Sequence, residues 1–260
     1  MKFSIVTISY NQSRFLEQAI RSVIDQDYPD IEYIVVDPGS TDGSREIIER
    51  YRGMITKVIF EPDHGPADGL NKGFAHATGE VFAYINSDDY FEPYAFSQVA
   101  KFFNERQDID VVLGAIKIVD GNGHAKWRKR MSDKFDLKKY ANGRCWIGQQ
   151  ATFFRRTAYE KSVFFNVENN TCWDAELLVC MALNKCKFGR IYKVLGNFRI
   201  YEASISGSAR LREKYIKDQD RIRKQIYETF PPSRSLHSNV LLRLLYKFDL
   251  RRHLANCFVK

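Results

Sequence analysis

VFAYINSDDY (residues 81–90) joins an apolar run to a pair of adjacent acids. Val81–Ile85 has the length and β-rich composition of a buried strand, and its end places Asn86, Asp88 and Asp89 at one spot. Neighbouring carboxylates repel, so such a turn calls for a cation or for water around it. The same alternation extends towards the N-terminus. FSIVTI (3–8), IEYIVVD (31–37) and KVIFE (57–61) read as three earlier strands. Between them lie helical patterns: Phe15, Leu16, Ala19, Ile20, Val23 and Ile24, with Ser13 as a candidate N-cap; SREIIERYR (44–52); and Leu70, Phe74 and Ala77. Ala95, Phe96, Val99, Ala100 and Phe103 follow as a fourth helix. This βαβαβαβ order predicts an α/β fold, a mostly parallel sheet with helices on both faces. Ligands of such sheets bind beyond the carboxyl ends of the strands. The residues to examine are therefore Ser9, Tyr10 and Asn11; Asp37; Glu61, Asp63 and His64; and Asn86, Asp88 and Asp89.

The second half is more mixed. DVVLGAIKIVD (110–120) and QATFFRR (150–156) read as strands, with GNG (121–123) a hairpin-type turn. WDAELLVCMAL (173–183) reads as a helix burying Leu177, Leu178 and Met181, and 210–228 as a charged helix. After the PP break at 231–232, LHSNVLLRLLYKFDLRRHL (236–254) is amphipathic. Val240, Leu241, Leu244, Leu245 and Phe248 lie on one side, and Arg243, Lys247 and Arg251 on another. The expected division is one α/β domain over 1–208 and a basic helical tail over 209–260.

Composition narrows the class. With 260 residues, 44% apolar and 28% charged, the chain is an ordinary globular protein. No apolar run reaches the roughly 18–20 residues that span a bilayer, and the N-terminus turns polar too soon for a signal peptide. Five cysteines without a CxxC pair suit reduced thiols in a cytoplasmic setting. From Arg210 onward there are thirteen Lys/Arg and five Asp/Glu, which accounts for the whole net charge of +8. A neutral body with a basic tail excludes a basic nucleic-acid-binding face. The tail either packs on the body or a second subunit, giving a homodimer, or lies on an anionic membrane as a peripheral contact.

Each polar cluster admits two readings. Asp88 and Asp89 can hold Mg²⁺ or Mn²⁺ against a diphosphate, or form a solvated turn. Asp68, Asn71 and Lys72 share a helix face at i, i+3 and i+4, and either grip a nucleotide or make a surface ion pair. In VVDPGSTDGS (35–44), Asp37 can accept hydrogen bonds from a base or ribose, or simply cap a turn.

The order of these clusters is more specific than any one of them. SYNQ, VVDPGSTDGS, DHGPADGLNKGFAHATGE and INSDD follow successive strands, and this order resembles the inverting family 2 glycosyltransferases of GT-A fold, in the branch whose acidic motif is N-S-D-D. The resemblance covers roughly residues 3–206. It implies a nucleotide-diphosphate sugar donor, commonly a UDP-sugar, and a saccharide or lipid-linked saccharide acceptor. It implies Ser9 and Asn11 near the nucleotide, Asp37 at the base or ribose, Asp68 and Lys72 beside the nucleotide, and Asn86, Asp88 and Asp89 at the metal and diphosphate. It implies a catalytic base at Asp174 in WDAELL (173–178), with Glu176 the second candidate and N-capping the alternative role of Asp174. Gln149, Gln150 and Trp173 would border the acceptor, and Arg199 would serve the diphosphate. Three positions depart from the family pattern. Pro38 stands where many members have a second acid, Asn86 replaces the first acid of D-x-D, and Tyr201 replaces a His. The expectation is a glycosyltransferase of cell-surface polysaccharide or lipopolysaccharide synthesis, working in the cytoplasm at the inner face of the membrane. Its rivals are a non-catalytic scaffold or membrane-surface protein that keeps the fold, and a nucleotidyltransferase. The last would need a Gly-rich loop after the first strand, and ISYNQSRF offers none.

Overall fold

The computed structural model describes residues 1–125, 129–202, 204 and 211–231. The amphipathic segment 236–254 lies outside them. Strands β1 (Phe3–Ile8), β2 (Ile31–Val36), β3 (Lys57–Ile59) and β4 (Val81–Asn86) alternate with helices α1 (Ser13–Ile24), α2 (Ser44–Arg50) and α3 (Pro66–Phe74). All four strands are parallel, in the order β3-β2-β1-β4. Their apolar runs are nearly continuous because both faces are covered. Val6, Ile34, Val36 and Phe82 turn to the side packed by α3. Phe3, Ile5, Tyr33, Val35 and Ala83 turn to the other, packed by α1 and α4 (Ala95–Glu105). Gly73 allows the α3 contact, because a Cβ there would lie 2.5 Å from a Val6 methyl. Ser13 begins α1 but does not cap it. Gln12 is the N-cap residue and makes no side-chain cap bond, while the Ser13 N–H donates to Asp42 Oδ2 at 2.8 Å.

Beyond β4 the sheet becomes mixed. β5 (Tyr90–Phe91), β6 (Val111–Val119), β7 (Arg130–Met131), β8 (Thr152–Arg155) and β9 (Phe188–Arg199) complete it in the order β4-β8-β6-β9-β5, with β7 on β6. β8 is antiparallel to both β4 and β6, β9 is parallel to β6, and β5 is antiparallel to β9. The parallel expectation therefore holds among the first four strands and again between β6 and β9, while β5, β7 and β8 pair antiparallel. β5, β7 and β9 were not expected from periodicity: the first two have two residues each, and β9 carries a Gly at 189 and at 196. Gly196 has a structural reason, since a Cβ there would sit 2.2 Å from the Gln150 carbonyl oxygen. Helices α5 (Leu137–Ala141), α6 (Arg156–Lys161), α7 (Trp173–Leu183) and α8 (Arg212–Thr229) follow in chain order. α8 packs on α5 and α7 and buries Ile222 and Ile226. Among the described residues no helix is long and apolar enough to cross a membrane.

Candidate active site

The carboxyl ends of β1 and β4 open onto a cavity of about 880 Å³. Ser9, Asn86, Asp88 and Asp89 reach it from the strand ends. Gln149 and Gln150 reach it from a 3-10 turn (Gln149–Ala151), Trp173 and Asp174 from α7, and Tyr140, Tyr215 and Gln219 from α5 and α8. Four carboxylates line it: Asp63, Asp88, Asp89 and Asp174. No Lys, Arg or His lines it among the described residues.

At the strand end, Ser9 Oγ and Asn86 Oδ1 are buried and have no hydrogen-bond partner. Asn11 stands just outside the cavity with φ 53°. Its N–H donates to Ser40 Oγ at 2.8 Å and its Oδ1 accepts from the Thr41 N–H at 2.9 Å, which ties the loop after β1 to the loop after β2. Asp37 is fully buried behind that loop. Its Oδ1 accepts from the Gly39 and Ser40 N–H groups and from Arg45 Nε, at 3.0, 2.8 and 3.1 Å. Its Oδ2 has no partner. Asp68 and Lys72 do not line the cavity. Asp68 accepts from the His64 N–H at 2.9 Å and pairs with Lys72 at 3.8 Å, while Lys72 also donates to the Pro62 carbonyl. Together they fasten the 62–64 loop, and it is Asp63 of that loop that faces the cavity.

The acidic turn divides its two carboxylates. Asp89 borders the cavity, but its Oδ1 accepts from the Arg199 N–H at 2.8 Å and its Oδ2 from Gln150 Nε2 at 2.7 Å. Burial, and then the charge of Asp88, push its carboxyl well above the usual range. Asp88 keeps its side chain toward the cavity beside the Tyr201 hydroxyl, and burial raises its carboxyl too. Tyr201 also donates to Gln12 Oε1 at 3.2 Å, and burial followed by Asp88 pushes its phenol up to about 12. Arg199 is 2% exposed and turned away from the cavity. Its guanidinium donates to the Asp88 and Asp120 carbonyls and to Gln18 Oε1, at 2.8, 3.1 and 2.6 Å, and lies over the Phe15 ring. With those donors committed to the scaffold, Arg199 in this arrangement holds the acidic turn and does not line the cavity.

The first turn of α7 makes a similar division. Among the described residues Asp174 has no cationic or side-chain partner, and burial, opposed there by its own N–H and that of Ala175, raises its carboxyl above the usual range. Cys172 is the N-cap residue, so capping is not the role of Asp174. Glu176 turns the other way. Arg221 donates to both its oxygens at 3.1 and 2.8 Å, and Asn166 and Asn169 add bonds at 3.0 and 2.7 Å. Burial would raise the Glu176 carboxyl, but these donors outweigh it and hold it below its usual range. Beside Asp174, the Trp173 indole N–H faces the Tyr84 hydroxyl without a well-formed bond, and Gln149 Oε1 is likewise buried and unpaired. Gln149 Nε2 is held by the Tyr84 carbonyl at 2.8 Å.

Residues 4–165 match the model of the family described as "Glycosyl transferase family 2". The chain belongs to glycosyl transferase family 2. Over 233 residues it is 30% identical to an uncharacterised glycosyltransferase of Nostoc sp., covering 84% of this chain and 71% of that one. It is 32% identical over 128 residues to the poly(ribitol-phosphate) beta-N-acetylglucosaminyltransferase TarS of Staphylococcus aureus. That match covers 47% of this chain and only 22% of TarS. The crystal structure of S. aureus TarS 1-349 in complex with UDP superposes with a TM-score of 0.68 at 21% identity, over 90% of this chain and 67% of that one. The Pyrobaculum calidifontis mannosyltransferase PcManGT, in complex with GDP-Man and Mn2+, gives 0.60 at 15% identity, over 99% and 85%. These superpositions establish the shared fold.

Members of glycosyl transferase family 2 commonly use a divalent metal, and the donor set here fits one. Oxygen atoms face the cavity at the strand end, the Asn86 Oδ1 is an orphaned acceptor, and Asp88 is a half-buried carboxylate with no Lys, Arg or His lining its cavity among the described residues. Among the described residues no three His, Cys, Asp or Glu form a ready-made metal cage. Tyr84, Tyr140, Tyr215 and Gln219 escape sequence reading. Tyr84 alone leaves a trace, being two residues before Asn86 and so on the same face of β4.

Proposed function

We propose that this chain is an inverting glycosyltransferase. It moves a sugar from a nucleotide-diphosphate sugar, of the UDP type, to a hydroxyl of a saccharide or lipid-linked saccharide, in building a cell-surface polymer at the cytoplasmic face of the membrane. One observation carries the reading: Asp174, a carboxylate with no side-chain partner among the described residues, shares a cavity with Asp88 and the unpaired Asn86 Oδ1 at the strand ends. The names of the relatives support the donor and the polymer. TarS acts on poly(ribitol-phosphate) and has been crystallised with UDP, and a Bacillus subtilis relative, TuaG, is assigned to teichuronic acid biosynthesis.

In this mechanism Asp174 accepts the proton of the acceptor hydroxyl, and burial suits it to the task by raising its proton affinity. The hydroxyl oxygen bonds to the anomeric carbon as the bond to the diphosphate oxygen breaks. One displacement without a covalent intermediate inverts the configuration. Glu176 is unsuited to the role because Arg221 holds it ionised and weakly basic. Ser9 and Asn86 offer unpaired polar atoms to the donor, and Asp37, through Gly39 and Ser40, shapes the loop beside it. Asp88, with Asn86, would hold Mg²⁺ or Mn²⁺, which neutralises charge on the leaving diphosphate. The lining offers no Lys, Arg or His among the described residues, and this supports an ion as the partner of an anionic donor.

Calorimetric titration with UDP, GDP and dTDP, each with and without Mn²⁺, tests the reading. Metal-dependent binding of one nucleotide is expected. Binding of none would sink the proposal and favour a scaffold that keeps the fold without turnover.

A further inference from the structure

The cavity has a second wall that the family match covers only in part. Residues 4–165 carry the match, whereas Trp173, Tyr215 and Gln219 lie beyond it. Tyr215 and Gln219 are one turn apart on α8 and face the cavity together. Gln219 Nε2 donates to the Tyr140 hydroxyl at 2.9 Å, which locks α8 to α5 at this point. Phe135 stacks on Tyr140, and Trp146 completes an aromatic surface. Tyr140, Tyr215 and Gln219 line the same cavity as Trp173 and Asp174 of α7.

Its chemistry is selective. The flat aromatic faces suit the C–H face of a sugar ring. Near Asp174 three buried polar atoms have no well-formed hydrogen bond among the described residues: the Trp173 indole N–H and the Tyr84 hydroxyl, which face each other, and the acceptor Gln149 Oε1. A hydroxyl both donates and accepts, so it can satisfy each of them. A phosphate group only accepts, and at this wall would meet Gln149 Oε1 and the Asp174 carboxylate with no described Lys, Arg or His among the lining residues. Arg130 lies on the Trp146 ring, at 3.7 Å, and does not line the cavity. The two thiols on this side, Cys145 and Cys172, are pushed up by burial to about 12 and about 11, so they stay neutral.

We infer that the acceptor is an uncharged sugar ring, held on the aromatic wall of α5 and α8 beside Trp173 and Gln149, and not a polyol phosphate. The inference rests on the glycosyltransferase reading and narrows it. It also separates this chain from TarS, whose name specifies poly(ribitol-phosphate).

The test has two arms on the full chain. Nucleotide binding is measured first by calorimetry with UDP and Mn²⁺. Release of UDP is then followed from UDP-glucose, UDP-galactose and UDP-N-acetylglucosamine in water, with a panel of neutral p-nitrophenyl hexosides, and with ribitol 5-phosphate. The expected result is that a hexoside raises UDP release at least about tenfold over water while ribitol 5-phosphate does not. Tyr215→Ala should raise the hexoside KM about tenfold, the worth of one aromatic contact, with UDP affinity retained and the fold intact by circular dichroism. Gln219→Ala, which frees the Tyr140 hydroxyl, should move KM in the same direction. Equal or greater stimulation by ribitol 5-phosphate, or no stimulation by any hexoside in a protein that binds UDP, overturns the inference and leaves the donor reading standing. An unchanged KM in both variants removes the α8 wall from acceptor binding. Failure to bind any nucleotide removes the donor reading itself, and the inference with it.

Discussion

The turn after β4 and the first turn of α7 each hold two carboxylates, and in each one acid faces the cavity while the other grips the scaffold. Asp88 and Asp174 face inward. Asp89 is held by an amide N–H and by Gln150, and Glu176 by Arg221 and two asparagines. The difference lies in the charge of the anchor. Neutral donors satisfy the geometry of Asp89 but do not offset its burial or the adjacent Asp88, so its carboxyl stays raised. A guanidinium bonded to both oxygens of Glu176 reverses that balance. Under the proposed mechanism the strand-end pair would take a metal ion, whereas Glu176 already has its guanidinium and Asp174 is the acid left to accept a proton.

The largest effect expected from breaking this comparison is at Asp174. Asp174→Asn should lower kcat by about 10²–10⁴, the usual worth of a positioned base, with UDP affinity kept. The same change should stabilise the protein at neutral pH. The folded-state pKa of Asp174 is raised, so its ionised form costs stability above the unfolded value, and that cost disappears as pH falls below it. Melting temperatures of wild type and variant should therefore differ at pH 7–8 and converge in acid. Undiminished turnover in Asp174→Asn would remove the residue from the mechanism.

The next largest effect is on Glu176. Arg221→Leu leaves a buried carboxylate with only two amide donors. Because Arg221 is 30% exposed, the loss should be about 2–3 kcal/mol, below the roughly 3–5 of a fully buried pair. The folded pKa of Glu176 is depressed, so its contribution is present above the unfolded value and fades as pH falls through the folded one. Urea denaturation at pH 7 and at pH 3 should show the variant's deficit shrinking in acid. A deficit equal at both pH values would mean that Arg221 acts by packing alone.

How much of this was legible from sequence depends on how local the cause is. Periodicity predicts β1 to β4 and their helices because each is a short run packed against its chain neighbours. The acid-bearing loops follow from the parallel order. The second half resists because its partners are distant. β5 has two residues and exists only by pairing with β9, more than a hundred residues later. Arg199 is in a position to meet a diphosphate on a linear reading, yet that pairing draws it under the turn to bind the Asp88 carbonyl. α8 reads as a charged helix of a tail because its two inward isoleucines, Ile222 and Ile226, are outnumbered by surface charge. Tyr215 and Gln219 carry no motif, and only packing on α5 and α7 brings them to the cavity.

The smallest effect sharpens the comparison by supplying a control. Asp68 and Lys72 form a third acid-containing site near the strand ends, partly exposed and 3.8 Å apart. Neither side chain lines the cavity, and the ion pair is of the i, i+4 kind that contributes less than about 1 kcal/mol. Lys72→Met should therefore shift the midpoint of urea unfolding only slightly. It should also weaken UDP binding far less than Asp88→Ala, which removes a carboxylate from the cavity itself. If Lys72→Met instead abolished UDP binding at unchanged stability, Lys72 would have to leave the Pro62 carbonyl and swing to the nucleotide. The 62–64 loop, with Asp63 at its tip, would then be the part of the site that rearranges on binding.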